Sequence, residues 1–216
     1  MNTKLARSQM LKQQIRAWEV LDEKVLEVME SIPREFFVPK NFTDFAFADM
    51  EIPLPHDEYM MAPKIEGKLL QALEITKKDT VLEVGTGSGY LTACLAHMSK
   101  EVLSIDIYKD FLISAKEKLA HQKIKNVNLS NLDIFETDQK NKYDVIVFTG
   151  SIKKFQRKFL NLLNPGGRIF VTIGELPIME SQIITSDSQN TLIQDKIFET
   201  CLPALKNQKF NKPFLL

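Results

Sequence analysis

The sequence is poor in cysteine, has no surplus of charge of either sign and contains no long apolar run. Its two cysteines, Cys94 and Cys201, lie far apart and outside any metal-ligand spacing, so we predict two small buried side chains and no metal site. Lys and Arg total 28, as do Asp and Glu, and the resulting net charge of zero gives no reason to expect nucleic acid as a partner. No run reaches the roughly 18 apolar residues of a membrane span, and residues 1–14 are too polar for a signal peptide. We therefore expect a cytoplasmic protein without membrane partners.

The residues that are present fit one α/β domain with a modest extension. A chain of 216 residues, of which 44% are hydrophobic, can build a sizeable core. The residue pattern changes near residue 65. This change separates an N-terminal helical and loop region, 1–64, from a larger domain, 65–216, within one structural unit.

The N-terminal region begins with two predicted helices, 4–17 and 22–31. Asp22 is the predicted N-cap of the second helix, and Pro33 stops it. The segment that follows, 36–63, is rich in Phe and Pro and has no clean period. Loops of this length inside compact domains are usually functional or packed over another part of the molecule.

The larger domain alternates strand-like and helix-like segments. Predicted strands span 80–84, 101–106, 127–130, 143–149 and 168–173, and predicted helices span 65–73, 89–98, 109–121 and 153–163. Apolar strands such as VIVF at 145–148 indicate burial on both faces, which is typical of a parallel sheet covered by helices. Two further strands, 179–185 and 192–202, flank a polar turn at 186–190. The sequence thus predicts a Rossmann-like, doubly wound α/β fold with a mostly parallel seven-stranded sheet and an antiparallel C-terminal hairpin.

A glycine-rich loop, Gly85-Thr86-Gly87-Ser88-Gly89, follows a buried strand and opens a helix. Glycines there let a ligand approach the backbone closely, and the carboxyl ends of parallel strands are where open α/β sheets bind ligands. The rival interpretation is a nicotinamide dinucleotide site, whose fingerprint is GxGxxG. The spacing here is GxGxG, with Tyr90 next, and the loop lies behind about 80 residues of other structure.

Three acids accompany the successive strands of this region. Glu83 lies within the strand before the glycine loop, Asp106 ends the second strand, and Asp133 follows the third. An ionised carboxylate only accepts hydrogen bonds, so Asp106 is suited to the two hydroxyls of a ribose, and Asp133 lies where an adenine is expected. Any one of these acids alone could be a solvated loop residue. Together they favour an S-adenosylmethionine-dependent methyltransferase over a nicotinamide enzyme.

The sequence also resembles a known family, the protein-L-isoaspartate O-methyltransferases, over roughly residues 20–205. The blocks that carry the resemblance are IPREFFVP at 32–39, FAFADMEIPL at 45–54, VLEVGTGSGYLTACLAHM at 81–98, Asn126-Val127 leading to Asp133, YDVIVFT at 143–149 and LNPGGRIFVTIG at 163–174. The resemblance implies a methyltransferase-type fold and a reaction in which the free carboxylate of an isoaspartyl residue in a damaged protein or peptide is methylated. The ester then cyclises to a succinimide, which can reopen as a normal aspartyl bond.

The resemblance and the strand-end pattern together predict the cofactor site. The predicted S-adenosylmethionine-binding residues are Tyr59, Met60, Glu83, Gly85, Thr86, Gly87, Ser88, Gly89, Asp106, Ile107, Asp133, Ile134 and Thr149. The acceptor needs no general base, because a carboxylate with a pKa of about 4 is already ionised at neutral pH. His56, His97 and His121 therefore need no catalytic role.

The chain departs from the family in the loop on the substrate side. Where the family reads Gly-Gln-Thr-Ile-Ser-Gln-Pro, residues 57–63 read DEYMMAP, so Met61 occupies the position of the serine that contacts the substrate carboxylate. Asp57 or Glu58, if it faces the pocket, repels a carboxylate by on the order of 4 kcal/mol at ~4 Å. Alternatively, both acids point to solvent and the methionines belong to the core.

Three hypotheses on function remain open at this stage. In the first, isoaspartyl repair is weak or absent because of the altered loop, although the cofactor site is kept. In the second, the substrate is a neutral hydroxyl, an amine or a small apolar molecule, for which Asp57 or Glu58 acts as the base. In the third, the chain binds the cofactor without catalysis and works through a partner surface. The sequence does not indicate the oligomeric state.

Overall fold

The computed structural model describes residues 3–137, 140–186 and 191–208. Its α-helices are α1 (Thr3–Gln9), α2 (Glu23–Ser31), α3 (Arg34–Phe37), α4 (Pro63–Leu73), α5 (Tyr90–Met98) and α6 (Lys109–His121). Its strands are β1 (Ile52–Pro53), β2 (Tyr59–Met60), β3 (Thr80–Val84), β4 (Glu101–Asp106), β5 (Val127–Asn131), β6 (Tyr143–Ile152), β7 (Leu163–Glu175), β8 (Ile178–Ser186) and β9 (Leu192–Glu199).

Seven strands form the central sheet in the order β5-β4-β3-β6-β7-β8-β9. The pairings among β5, β4, β3, β6 and β7 are parallel, whereas β8 and β9 are added antiparallel. The predicted fold is therefore confirmed. The direction of strand addition reverses between β3 and β6, and ligands of such sheets bind beyond the carboxyl ends of the strands at that reversal.

Alternate side chains of the central strands enter two separate cores, which explains their continuous apolar runs. Val81, Val145 and Val147 belong to the core shared with the N-terminal helices, α4 and α5. Leu82 and Ile146 belong to the core on the opposite face. Successive residues of a strand point to opposite faces, so a strand covered on both sides must be apolar throughout.

The N-terminal region forms the two predicted helices with one change. Asp22 caps α2, and its carboxylate accepts a hydrogen bond from the Lys24 N–H at 2.8 Å, as predicted. The first helix, predicted at 4–17, is observed as α1 followed by a π-helical segment, Met10–Ile15, and a 3-10 turn, Arg16–Trp18.

The long segment 36–63 contains short pieces of regular structure. A 3-10 turn, Lys40–Phe45, is followed by the two-stranded ribbon of β1 and β2, in which Ile52 pairs with Met60. A further 3-10 turn, Pro55–Asp57, joins the two strands. This ribbon lies against the carboxyl end of the sheet, where it provides several residues of the cavity described below.

The prediction of a helix at 153–163 is wrong. Its residues form a link with a single 3-10 turn, Arg157–Leu162. Instead, β6 continues to Ile152 beside the C-terminal segment, and the Lys153 N–H donates to the Gln208 side chain at 2.9 Å. Contacts with the C-terminal segment thus hold the end of β6 and the start of this link in place.

The C-terminal hairpin is confirmed, although β9 ends at Glu199 rather than at residue 202. Of the predicted polar turn, Ser186 ends β8 and residues 187–190 lie outside the described residues. Cys94 is buried as expected, whereas Cys201 is exposed, because it lies beyond the last strand. Within the ranges that the structure describes, no helix combines the length and apolar character that crossing a membrane would require.

Candidate functional site

A cavity with about 750 Å³ of empty space lies beyond the carboxyl ends of β3, β4 and β6. The predicted site residues that line it are Glu58, Tyr59, Met61, Gly85, Gly87, Asp106, Ile107, Asp133, Ile134 and Thr149. The predicted residues that do not line it are Asp57, Met60, Glu83, Thr86, Ser88 and Gly89.

The glycine loop brings bare backbone to the cavity wall. Gly85 has φ 100°, and a Cβ there would lie 2.1 Å from the hydroxyl oxygen of Thr149. That hydroxyl lies 3.0 Å from the carbonyl oxygens of both Val84 and Gly85, and its single proton is shared between these two acceptors. Neither the dihedral angle nor the space allows a side chain at this position, so only glycine fits between β3 and β6.

Asp106 presents its carboxylate at the end of β4. One oxygen accepts the N–H of Gly87 at 3.0 Å, and the other accepts the N–H of Tyr108 at 2.9 Å. Burial raises the pKa of Asp106, and these backbone hydrogen bonds oppose that effect. Each oxygen keeps a further lone pair for a ligand, so the carboxylate can accept from two hydroxyl groups.

Asp133 lies across the cavity beside an apolar surface. Its carboxylate accepts from the Phe135 N–H and from the side-chain amide of Asn207, both at 2.8 Å. Ile107 and Ile134 line the neighbouring wall together with Phe135. Apolar side chains next to a fixed hydrogen-bonding group suit a flat heteroaromatic ring.

Glu83 lies beneath the glycine loop. One carboxylate oxygen accepts from Thr92 at 2.5 Å and from Ser104 at 2.6 Å. Because the Ser104 hydroxyl has one proton, the 2.6 Å contact with Thr86 requires the Thr86 hydroxyl to donate. Burial raises the pKa of Glu83 to about 8. Glu83 was predicted to bind the cofactor. In this geometry its contacts support the glycine loop from below.

We expect Glu83→Gln to change how stability depends on pH. Between pH 6 and 8 the folded protein keeps a proton on Glu83, because burial raises its pKa from 4.5 to about 8, whereas the unfolded chain has lost it. The free energy of unfolding of the wild type then falls as pH rises. Glu83→Gln has no proton to lose, so its stability relative to the wild type should increase by about 2 kcal/mol from pH 6 to 8. Urea unfolding at pH 6, 7 and 8 measures it, and parallel curves for the two variants would contradict it.

The cavity wall also includes Glu51, Glu58, Met61 and Lys206. Burial raises the pKa of Glu58, and Lys206, whose ammonium lies 3.6 Å from a Glu58 oxygen, opposes that effect. Burial also raises the pKa of Glu51. Asp57 is exposed, so only one of the two acids predicted here faces the cavity.

Arg34 fixes the position of Met61 from behind. Its fully buried guanidinium donates to the carbonyl oxygens of Met61 at 2.7 Å and Ala46 at 3.0 Å, and it forms an ion pair with Glu66. Since Ala46 and Met61 lie on either side of the β1–β2 ribbon, one side chain holds both ends of the segment that forms this wall.

His56 attaches the tip of the same ribbon to α6. Its ring stacks on Tyr108 with centroids 4.0 Å apart, and its Nε2 lies 2.9 Å from Asp110. His56 adopts φ 62° and Asp57 adopts φ 57°, so the chain turns sharply here. Tyr108 itself lines the cavity, so this contact fixes the ribbon next to the site.

Sequence reasoning missed several residues of the cavity wall. These are Glu51, Leu54, Val84, Ile105, Tyr108, Phe111, Leu132, Phe135, Gly150, Pro203, Leu205 and Lys206. Some of them, such as Tyr108 and Phe135, follow a predicted residue directly in the sequence, and that position was a usable signal. No local signal marks Lys206, because it reaches the cavity through contacts distant in sequence.

These features fit S-adenosylmethionine, the cofactor that the sequence predicts. A carboxylate acceptor, an apolar slot and exposed glycine backbone lie around one cavity, as a molecule with a ribose, an adenine and a methionyl chain requires.

Comparison with known proteins gives the family. The sequence model described as protein-L-isoaspartate(D-aspartate) O-methyltransferase matches residues 5–207. A relative from Methanoculleus marisnigri, named protein-L-isoaspartate O-methyltransferase, is 34% identical over 169 residues, which are 78% of this chain and 77% of the relative. A relative of the same name from Koribacter versatilis is 30% identical over 212 residues, 96% of this chain and 94% of the relative.

A solved structure shares the fold. It is a Plasmodium falciparum protein described as a protein-L-isoaspartate O-methyltransferase in complex with S-adenosyl-L-homocysteine, with a TM-score of 0.81 and 21% identity. The match covers 94% of this chain and 99% of that structure. With the match of the family model to most of the chain, these findings show that the chain belongs to the protein-L-isoaspartate(D-aspartate) O-methyltransferase family and is an S-adenosylmethionine-dependent methyltransferase.

Proposed function

We propose that this enzyme methylates the free carboxylate of isoaspartyl residues in proteins and peptides. The observation that carries the proposal is the arrangement of one cavity. Asp106 and the glycine loop line it, and Met61, at the position of the family serine, lines the same cavity. The lining position of Met61 supports a substrate-side role for the altered loop.

The residues proposed to bind the cofactor have defined roles. Asp106 accepts from the ribose hydroxyls, Asp133 and Ile134 bind the adenine, and Gly85 and Gly87 leave room for the methionyl chain. When bound, S-adenosylmethionine supplies an electrophilic methyl group. The cavity residues of the substrate-side loop, among them Met61, then hold the carboxylate oxygen in line with it.

Orientation is the main contribution of the protein to this reaction. The acceptor carboxylate is already ionised at neutral pH, so the site needs no residue that removes a proton. Holding two reactants in line is worth about 7–11 kcal/mol of the barrier. His56 holds the ribbon next to Glu58, and Arg34 holds Met61 directly after it, and such support makes a fixed orientation possible.

Transfer of labelled methyl groups to an isoaspartyl peptide tests the proposal. We expect transfer to the isoaspartyl peptide and none to the same peptide with a normal aspartyl residue. Equal labelling of both peptides, or labelling of neither in the presence of demonstrated cofactor binding, would overturn it.

Met61→Ser should increase activity on the isoaspartyl peptide. A hydroxyl at this position can donate to the substrate carboxylate, and a hydrogen bond to a charged group is worth about 1.5–3 kcal/mol. We expect kcat/KM to rise about tenfold. Met60→Ser is the matched control, because Met60 is equally buried but does not line the cavity. A similar change in both variants would count against the role of position 61.

A second candidate substrate is an amine or a hydroxyl compound. Glu58 lines the cavity and burial raises its pKa, so it could accept the proton that such a nucleophile must lose. A substrate panel would be screened, and Glu58→Gln compared with Asp57→Asn, which changes an exposed acid outside the cavity. Loss of activity in Glu58→Gln alone would support this candidate, and unchanged activity would exclude it.

A further inference from the structure

The charges of the cavity wall are strongly unequal. Glu51, Glu58, Asp106 and Asp133 all line it. Among the residues that the structure describes, Lys206 is the only Lys, Arg or His in the lining. A substrate that brings another carboxylate into this cavity would be repelled by the acids, so its binding requires a nearby cation.

The backbone around Lys206 is anchored on both sides of it. The Ser151 N–H donates to the Pro203 carbonyl at 2.8 Å, and the Leu205 N–H donates to the Ser151 carbonyl at 2.9 Å. On the other side, the Asn207 side chain donates to Asp133 at 2.8 Å. These contacts place the C-terminal segment 202–208 along the end of β6 and across the cavity.

The side chain of Lys206 reaches Glu58, which belongs to the loop on the substrate side of the family pattern. Its ammonium lies 3.6 Å from the Glu58 carboxylate, and about half of the side chain is exposed, with a relative exposure of 45%. An ammonium group has three N–H donors, so contact with Glu58 leaves donors for a second carboxylate. A lysine on a fixed backbone with a mobile four-carbon side chain can follow such a ligand.

We infer that Lys206 is a specificity-determining residue that binds the acceptor carboxylate and, by pairing with Glu58, allows it into an acidic cavity. This inference rests on the proposed isoaspartyl function. It assigns to the C-terminal segment the recognition that the serine provides in the family pattern, a position that is Met61 here.

Kinetics with an isoaspartyl peptide test the inference. For Lys206→Met we expect KM for the peptide to rise tenfold to a hundredfold, as loss of a charge-assisted contact predicts, with kcat changed less than threefold. The affinity for S-adenosylmethionine, measured by calorimetry, should be unchanged. Lys206→Arg should recover most of the loss, and Lys196→Met, an exposed lysine on β9 paired with Glu180, is the matched control.

Two further measurements separate carboxylate recognition from a structural effect. The same peptide with the acceptor carboxylate replaced by a carboxamide should inhibit wild type and Lys206→Met equally. Adding Glu58→Gln to Lys206→Met should lower KM again, because the unpaired acid is removed. Lys206→Gln provides a second neutral variant if Lys206→Met is unstable in thermal unfolding.

An unchanged KM in Lys206→Met, equal losses for the carboxylate and carboxamide peptides, or weaker cofactor binding would overturn the role of Lys206 while leaving the proposed function intact. Absence of turnover of the isoaspartyl peptide by the wild-type enzyme would overturn the proposed function, and this inference with it.

Discussion

Arg34→Met should lower the free energy of unfolding by about 3–5 kcal/mol, because it leaves a buried acid without its partner. Glu66 is 1% exposed and pairs with Arg34, which also donates to the carbonyl oxygens of Ala46 and Met61. Urea unfolding at neutral pH, followed by circular dichroism, measures the loss. It should be accompanied by a higher KM for the methyl acceptor, since Met61 loses its support.

The pH dependence of this loss follows from Glu66. Burial raises its pKa from 4.5 to about 7 even with Arg34 beside it. Without Arg34 the folded-state pKa must rise further, so the folded variant keeps its proton to higher pH. The raised pKa lowers stability progressively as pH rises above 4.5, and the deficit of Arg34→Met should therefore be larger at pH 8 than at pH 5.

Arg16→Met is the matched control for Arg34→Met. Arg16 pairs with Glu23 at 2.8 Å, but both side chains are exposed, and such pairs are worth at most about 1 kcal/mol. Equal losses in the two variants would show that the buried ion pair is no more important than an exposed one.

Asp106→Asn should weaken S-adenosylmethionine binding by two to three orders of magnitude, which corresponds to about 3–4 kcal/mol. The carboxylate already accepts from Gly87 and Tyr108 through separate oxygens. An amide has one acceptor oxygen, so its NH₂ group must face one of these N–H donors or turn toward a ligand hydroxyl. Either orientation disturbs the glycine loop or removes a hydrogen bond to the cofactor.

Calorimetric titration with S-adenosylmethionine measures this effect, and circular dichroism checks that the variant is folded. Asp195→Asn is the control, because Asp195 is an exposed acid on β9 outside the cavity. A loss of less than about fivefold in Asp106→Asn, roughly 1 kcal/mol, would exclude a direct contact between this carboxylate and the cofactor.

Much of the fold follows from local patterns in the sequence. The apolar run of β6 is typical of a strand buried on both faces, and its neighbours in the two cores confirm that prediction. Asp22 caps α2 as its position predicts. The prediction of a helix at 153–163 was wrong. Residue spacing alone could not show that the N–H groups of Ser151 and Lys153 form hydrogen bonds to residues more than 50 positions later in the chain.

The sequence by itself determined the class of the protein and one half of its site. The glycine loop and the acids at the ends of β4 and after β5 follow directly from strand order, because the carboxyl ends of parallel strands meet at one edge. Only the tertiary structure decided the other half: that Glu58 faces the cavity while Asp57 does not, and that Lys206 lies beside Glu58. The orientation of a loop acid and the docking of a C-terminal segment depend on long-range contacts, and such contacts leave no period in the sequence.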